Sequence, residues 1–137
     1  MAETEAQPEI QPRGELAIRT LAMPADANPS GDIFGGWVLS QMDIAGGLIA
    51  RERARGRVAT VAITAMTFHL PVHVGDVLCA YVEIEKIGRT SIATWIEAWA
   101  LRGKGGGRVR VTGGQFFYVA LDANGRPRPV PDREQSQ

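Results

Sequence analysis

Few residues in this chain have both the type and the surroundings that chemistry needs, and Asp43 stands first among them. It lies in the run Val38-Leu39-Ser40-Gln41-Met42-Asp43-Ile44-Ala45. A carboxylate in the apolar middle of a helix is costly unless it is paired or used. Two readings stay open: a carboxylate used in chemistry, or a structural one satisfied by a backbone turn or an arginine. Asn28 and Asp32 precede the helix in a loop dense in Pro, Asn, Gly and Asp. Asp32 reads as the N-cap of the helix and Asn28 as a turn-former or a site residue. The helix start at Phe34-Gly35-Gly36 offers unpaired backbone N–H groups with no side chains in front of them, which is what an oxyanion hole requires.

Other chemistry is poorly supported. The chain has one cysteine, Cys79, and two histidines, His69 and His73, too few for a four-ligand Cys/His zinc site within one chain, and no metal is expected. Cys79 sits in a strand without a basic activator and reads as an inert buried thiol. His69 and His73 flank Pro71 at a strand end, where a hydrogen-bonded histidine is commoner than a catalytic one. No serine lies in a nucleophile-elbow context. Gly103 to Gly107 has the glycine content of a phosphate loop without its Gly-Lys-Ser/Thr ending, and reads as a hairpin turn.

The 137 residues carry 15 Lys plus Arg against 15 Asp plus Glu, and 45% are apolar. That describes one compact domain, large enough to bury roughly two thirds of its unfolded surface. Zero formal charge provides no global attraction for nucleic acid or an anionic membrane, so neither is expected as a partner. The longest apolar stretch, Ile33 to Ala50, is interrupted by Asp43 and four glycines, which argues against a membrane span. The acidic, polar start has no secretory pattern, and the cytoplasm is the expected compartment.

The elements that position these residues follow from hydrophobic period. Residues 1–14 and 126–137 read as tails around a domain at 15–125. Leu16 to Leu21 alternates as a first strand. Val38, Met42, Ala45, Leu48 and Ile49 recur at helical spacing within a helix from Ile33 to about Arg55, apolar on nearly all sides until its last turn. Gly35-Gly36 and Gly46-Gly47 lower helix propensity by about 1 kcal/mol each relative to Ala, which implies close backbone approach. Period two then takes over in strands at Val58–Leu70, Val77–Ile87, Ser91–Arg102 and Arg108–Leu121, with Gly113-Gly114 as an expected bulge. An α+β fold follows, in which a curved antiparallel sheet of about five strands wraps a central helix. Trp95, Trp99, Phe116 and Phe117 suggest a further buried surface between subunits, hence a homo-oligomer.

The segment from Thr20 to Gly47, with Asn28-Pro29-Ser30-Gly31-Asp32, Gly35-Gly36 and Asp43, resembles the signature of hotdog-fold acyl-CoA thioesterases of the YciA type. Further similarity lies at Met66-Thr67-Phe68, Pro71 to Asp76, Gly88-Arg89-Thr90-Ser91, Phe117 to Asp122, and Arg126-Pro127-Arg128-Pro129, so it covers about residues 16 to 131. The resemblance implies hydrolysis of acyl-CoA to a carboxylic acid and CoA with no metal or organic cofactor. It makes Asp43 the general base or nucleophile and Asn28 the residue that positions thioester or water, the two meeting across a dimer interface, with Gly35 or Gly36 donating to the oxyanion. Arg89, Thr90, Ser91, Arg126 and Arg128 are expected near CoA, and Met66 and Phe68, with Met42, along the acyl chain. A homodimer is the implied minimum unit and a hexameric trimer of dimers the expected assembly. A non-hydrolytic acyl-CoA binding or sensing module on the same fold is the alternative.

Overall fold

A computed structural model of the chain describes residues 11–103 and 107–132. Strand β1 (Glu15–Leu21) leads through a loop to helix α1 (Gly35–Ala54), followed by β2 (Val58–Ile63), β3 (Val77–Ile87), β4 (Ser91–Leu101) and β5 (Arg108–Ala120). The strands form one antiparallel sheet in the order β1-β3-β4-β5-β2. Helix α1 lies on it and touches every strand.

Alternation along the strands builds the core. Leu78, Ala80 and Val82 of β3, Ile92, Ile96 and Ala98 of β4, and Phe116 and Tyr118 of β5 are buried, as are Val38, Met42 and Ala45 of the helix. At Gly46 the helix lies directly against the sheet. A Cβ built on Gly46 would stand 2.2 Å from the Tyr118 hydroxyl and 2.4 Å from Ile96 Cδ1. Close approach is therefore the reason for Gly46, whereas a Cβ on Gly36 or Gly47 would meet nothing within 4 Å.

The structure departs from the sequence-based expectations in several places. The N-cap of α1 is Phe34, without a side-chain cap. Asp32 is extended, bridged to His73, with its carboxylate 3.5 Å from His73 Nδ1, so it lies too early in the chain to cap. Strand β2 ends at Ile63 rather than Leu70. Beyond it, Thr64 Oγ1 takes the Gln115 N–H at 3.0 Å, and that side-chain bond interrupts the ladder. The bulge in β5 is at Val111, since Ala98 pairs with Thr112 and Trp99 with Arg110. Gly113 and Gly114 instead make room, because added Cβ atoms would meet the Trp95 ring at 2.8 Å and Met66 Cγ at 2.5 Å. Of the Gly103 to Gly107 turn, residues 104–106 lie outside the described residues; the Arg102 N–H closes on the Gly107 carbonyl at 3.0 Å.

Trp95, Trp99, Phe116 and Phe117 are not the exposed apolar surface. Phe116 is in the core and Trp99 is 3% exposed. On the sheet face away from α1, the Trp95 and Trp99 indoles donate to the two Glu97 oxygens at 2.7 and 2.9 Å. The Arg13 N–H adds a third bond to this buried carboxylate at 3.3 Å. Exposed apolar surface includes the outer face of α1 and the edge strand β2, where Ile44 is 52% exposed, Leu48 51% and Val61 57%, and also Leu21, Phe34 and Phe68. The helix is thus buried on one face only, contrary to the expectation of burial nearly all round.

Gly46→Ala forces the helix off the sheet or the phenol out of its place. It is expected to lower stability by about 1–3 kcal/mol. Urea unfolding followed by tryptophan fluorescence measures this; an unchanged midpoint would contradict the close approach.

Candidate functional site

Asp43 stands at the border between the buried and exposed faces of α1. Met42 before it is fully buried and Ile44 after it is half exposed. Its Oδ1 accepts two hydroxyl hydrogen bonds, from Thr60 Oγ1 of β2 at 2.7 Å and from the Tyr118 phenol of β5 at 3.0 Å. The phenol also lies 3.2 Å from the Asp43 carbonyl oxygen. Burial and the neighbouring carboxylate push the Tyr118 phenol far above its ordinary range, so it is a donor at any working pH. The carboxylate is oriented by neutral donors rather than neutralised by a cation, which leaves its charge available to a substrate.

Asn28 belongs to a separate loop. Its Oδ1 accepts the Ser30 and Asp32 N–H groups at 2.9 and 3.1 Å, and its own N–H reaches the Asp32 carbonyl at 2.7 Å. The carbonyl end of the side chain is thereby fixed in an Asx turn. Gly35 and Gly36 are exposed in the first helical turn, where backbone N–H groups lack ladder partners. Phe68, partly exposed, lies beside them, its ring 3.6 Å from where a Gly35 Cβ would be. Gly35 and Asp43 share one helix, eight residues and so roughly 12 Å apart along its axis at about 1.5 Å per residue. One chain therefore does not bring the amides of the helix start to the Asp43 carboxylate.

A second group of residues meets at the far end of α1. In the β3–β4 turn, Gly88 N–H bonds to the Ser91 carbonyl at 2.8 Å, and Ala120 N–H to that of Thr90 at 2.9 Å. The C-terminal segment joins this turn through Val130 N–H and the Arg89 carbonyl at 2.9 Å, and Leu121 N–H reaches the Arg57 carbonyl at 2.9 Å. Arg89, Arg126 and Arg128 are thus brought to the end where Arg51, Arg53, Arg55 and Arg57 also lie. Arg128 has a structural load: its guanidinium donates to the Leu121 carbonyl at 2.9 Å and to that of Ala54, at the helix C-terminus, at 2.8 Å. Arg89 and Arg126 are exposed. Met42 is sealed in the core, and Met66 packs over Gly114. Among the described residues no group of three or more His, Cys, Asp or Glu is placed to hold a metal, and no helix is long and apolar enough to cross a membrane.

Residues 30–106 match the Thioesterase superfamily. The chain belongs to that superfamily. It is similar to the acyl-CoA thioester hydrolase YciA of Salmonella typhimurium, at 54% identity over 123 residues, covering 88% of this chain and 92% of the relative. Among solved structures, a hexameric thioesterase from Yersinia pestis is 52% identical, with a TM-score of 0.85, covering 89% of this chain and all of that one. A hexameric hotdog fold thioesterase of Campylobacter jejuni is 37% identical, with a TM-score of 0.82, covering 90% and 93%. The chain is a hotdog-fold enzyme of the YciA type. Thr60 and Tyr118, the two donors to Asp43, do not stand out in the sequence. Thr60 reads as an ordinary strand former and Tyr118 as an ordinary core aromatic, and only the fold brings them to Asp43.

Removing the Arg128 side chain leaves two buried-end carbonyls to water. Arg128→Ala is expected to cost about 1–2 kcal/mol and to speed amide exchange at Val130. A melting temperature and exchange rates equal to wild type would show that the guanidinium holds nothing.

Proposed function

We propose that this protein hydrolyses acyl-CoA thioesters to a free carboxylic acid and CoA, with Asp43 as general base, or as nucleophile. One observation carries the reading: the Asp43 carboxylate, held through one oxygen by Thr60 and Tyr118 at the edge of an exposed apolar helix face. In the general-base form Asp43 takes a proton from water as the water oxygen bonds to the thioester carbon. The carbonyl electrons move to an oxyanion held by Gly35 or Gly36 N–H. Their return expels the CoA thiolate, which then takes up the proton. A thioester carbonyl is already electrophilic, so this chemistry needs no metal, organic cofactor or Ser triad.

The site in this reading lies between two copies. The exposed face of α1, with Ile44 and Leu48, and the free edge of β2, with Val61, supply an apolar surface and an unpaired strand, both of which a second copy would cover. Asn28 and the Gly35-Gly36 amides of one subunit then serve Asp43 of the other. The homodimer is the minimum active unit, and the hexameric relatives support a trimer of such dimers. Arg89 and Arg126 meet the CoA phosphates, beside Thr90 and Ser91, while Arg128 holds the segment that carries Arg126. Phe68, next to the helix start, and Met66 line the path of the acyl chain. The cytoplasm is its place of action.

Thiol release from acetyl- through palmitoyl-CoA tests the reading. Wild type should turn over at least part of the panel, and Asp43→Asn should lose about 100-fold or more while folding normally. Full activity in Asp43→Asn would overturn the mechanism. Thermal stabilisation by acyl-CoA without any thiol release would make the protein a binding or sensing module instead. Arg89→Ala should raise KM for acyl-CoA a few-fold, less at high salt, and leave KM for the matching acyl-pantetheine unchanged; equal effects on both substrates would remove Arg89 from the phosphate site.

A further inference from the structure

We infer that Tyr118 is a positioning residue for Asp43 and that Oδ2 is the carboxylate oxygen that reacts. The inference rests on Asp43 being the reacting carboxylate, and concerns what aims it. Thr60 and Tyr118 both donate to Oδ1. Two donors from different strands converging on one oxygen fix the rotation of the carboxylate plane, and among the described residues no hydrogen bond reaches Oδ2. The bonded oxygen is the poorer base because its lone pairs are engaged; the other keeps its lone pairs for a water or a thioester carbon.

Packing alone does not explain a hydroxyl at this position. Tyr118 is 1% exposed, and a phenylalanine would fill the same slot without any need for a partner. Position 46 has no room for a Cβ, which would stand 2.2 Å from the hydroxyl, 2.4 Å from Ile96 Cδ1 and 2.9 Å from Tyr118 Cζ. A glycine inside a helix costs about 1 kcal/mol relative to alanine. The fold thus gives up helix stability for a close approach of α1 to the sheet, and that approach leaves the hydroxyl 3.0 Å from Asp43 Oδ1. The phenol's proton is directed at Asp43 Oδ1 and burial holds it on the phenol, so Tyr118 orients the carboxylate.

Tyr118→Phe tests this on the acyl-CoA substrates of the intact protein. Loss of a hydrogen bond to a charged group predicts a kcat about 10- to 100-fold lower, equally for every acyl length, with KM within about twofold of wild type. A wild-type kcat with a lowered melting temperature would make the hydroxyl structural and overturn the inference. If Asp43→Asn is inactive while Tyr118→Phe retains full kcat, only the role of Tyr118 falls; if Asp43→Asn is active, the base itself falls. A second measurement leaves Tyr118 in place. The chain has two tyrosines, Tyr81 and Tyr118, so 3-fluorotyrosine labelling yields two fluorine resonances, assigned with Tyr81→Phe. The Tyr118 resonance should move in Asp43→Asn and the Tyr81 resonance should not. An unmoved Tyr118 signal would contradict the contact.

Discussion

How near α1 comes to the sheet sets everything else in this molecule. At Gly46 the helix backbone lies against the Tyr118 hydroxyl and Ile96, with no room for a methyl group. One turn back, three successive residues face three environments. Met42 goes into the core, Asp43 to the hydroxyls of Thr60 and Tyr118, and Ile44 to the outside. A helix standing further off would keep the same core residues in a looser layer but lose the phenol from the carboxylate. The surroundings of Asp43 and the core packing are thus one constraint, set by interiors that tolerate little change in volume.

The two faces of the sheet are finished differently. The face under α1 is apolar. The opposite face carries Glu97, whose oxygens take two indole N–H groups and one backbone N–H, with the Arg13 guanidinium 5.0 Å above the Trp95 ring and paired to Glu83 at 2.6 Å. A buried carboxylate with three donors holds this surface in place, and the segment before β1 is tied down by it. What stays open is the outer face of α1 and the edge of β2, which is where a second chain completes the site in the proposed reading. The arginines at the other end of the helix oppose its negative dipole, and Arg128 closes that end on the Ala54 carbonyl.

The parts of the fold legible in the sequence are those with an unbroken period. Strand β3 runs from Val77 to Ile87 as its alternation requires, and β4 and β5 differ from expectation by one residue at their ends. Asp43 stands out in the sequence because a carboxylate among Met42, Ile44 and Ala45 violates the apolar pattern, while its partners are two hydroxyls rather than a backbone turn or an arginine. Strand β2 was read too long because Thr64 and Met66 keep the composition of a strand, while a side chain of one and the bulk of the other displace the ladder. The paired glycines of β5 suggested a bulge, but their actual role depends on Trp95 and Met66, which approach from other elements. Thr60 and Tyr118 lie 17 and 75 residues from Asp43, distances at which composition and period hold no information.

The most direct test of the account is to mix Asn28→Ala chains with Asp43→Asn chains, each inactive alone, through unfolding and joint refolding. If Asn28 of one subunit serves Asp43 of another, random pairing makes about half of the dimers mixed, each with one intact site of two. Acyl-CoA hydrolysis should then return to about a quarter of the wild-type rate. A mixture no more active than its parents would place the whole site within one chain and contradict the account.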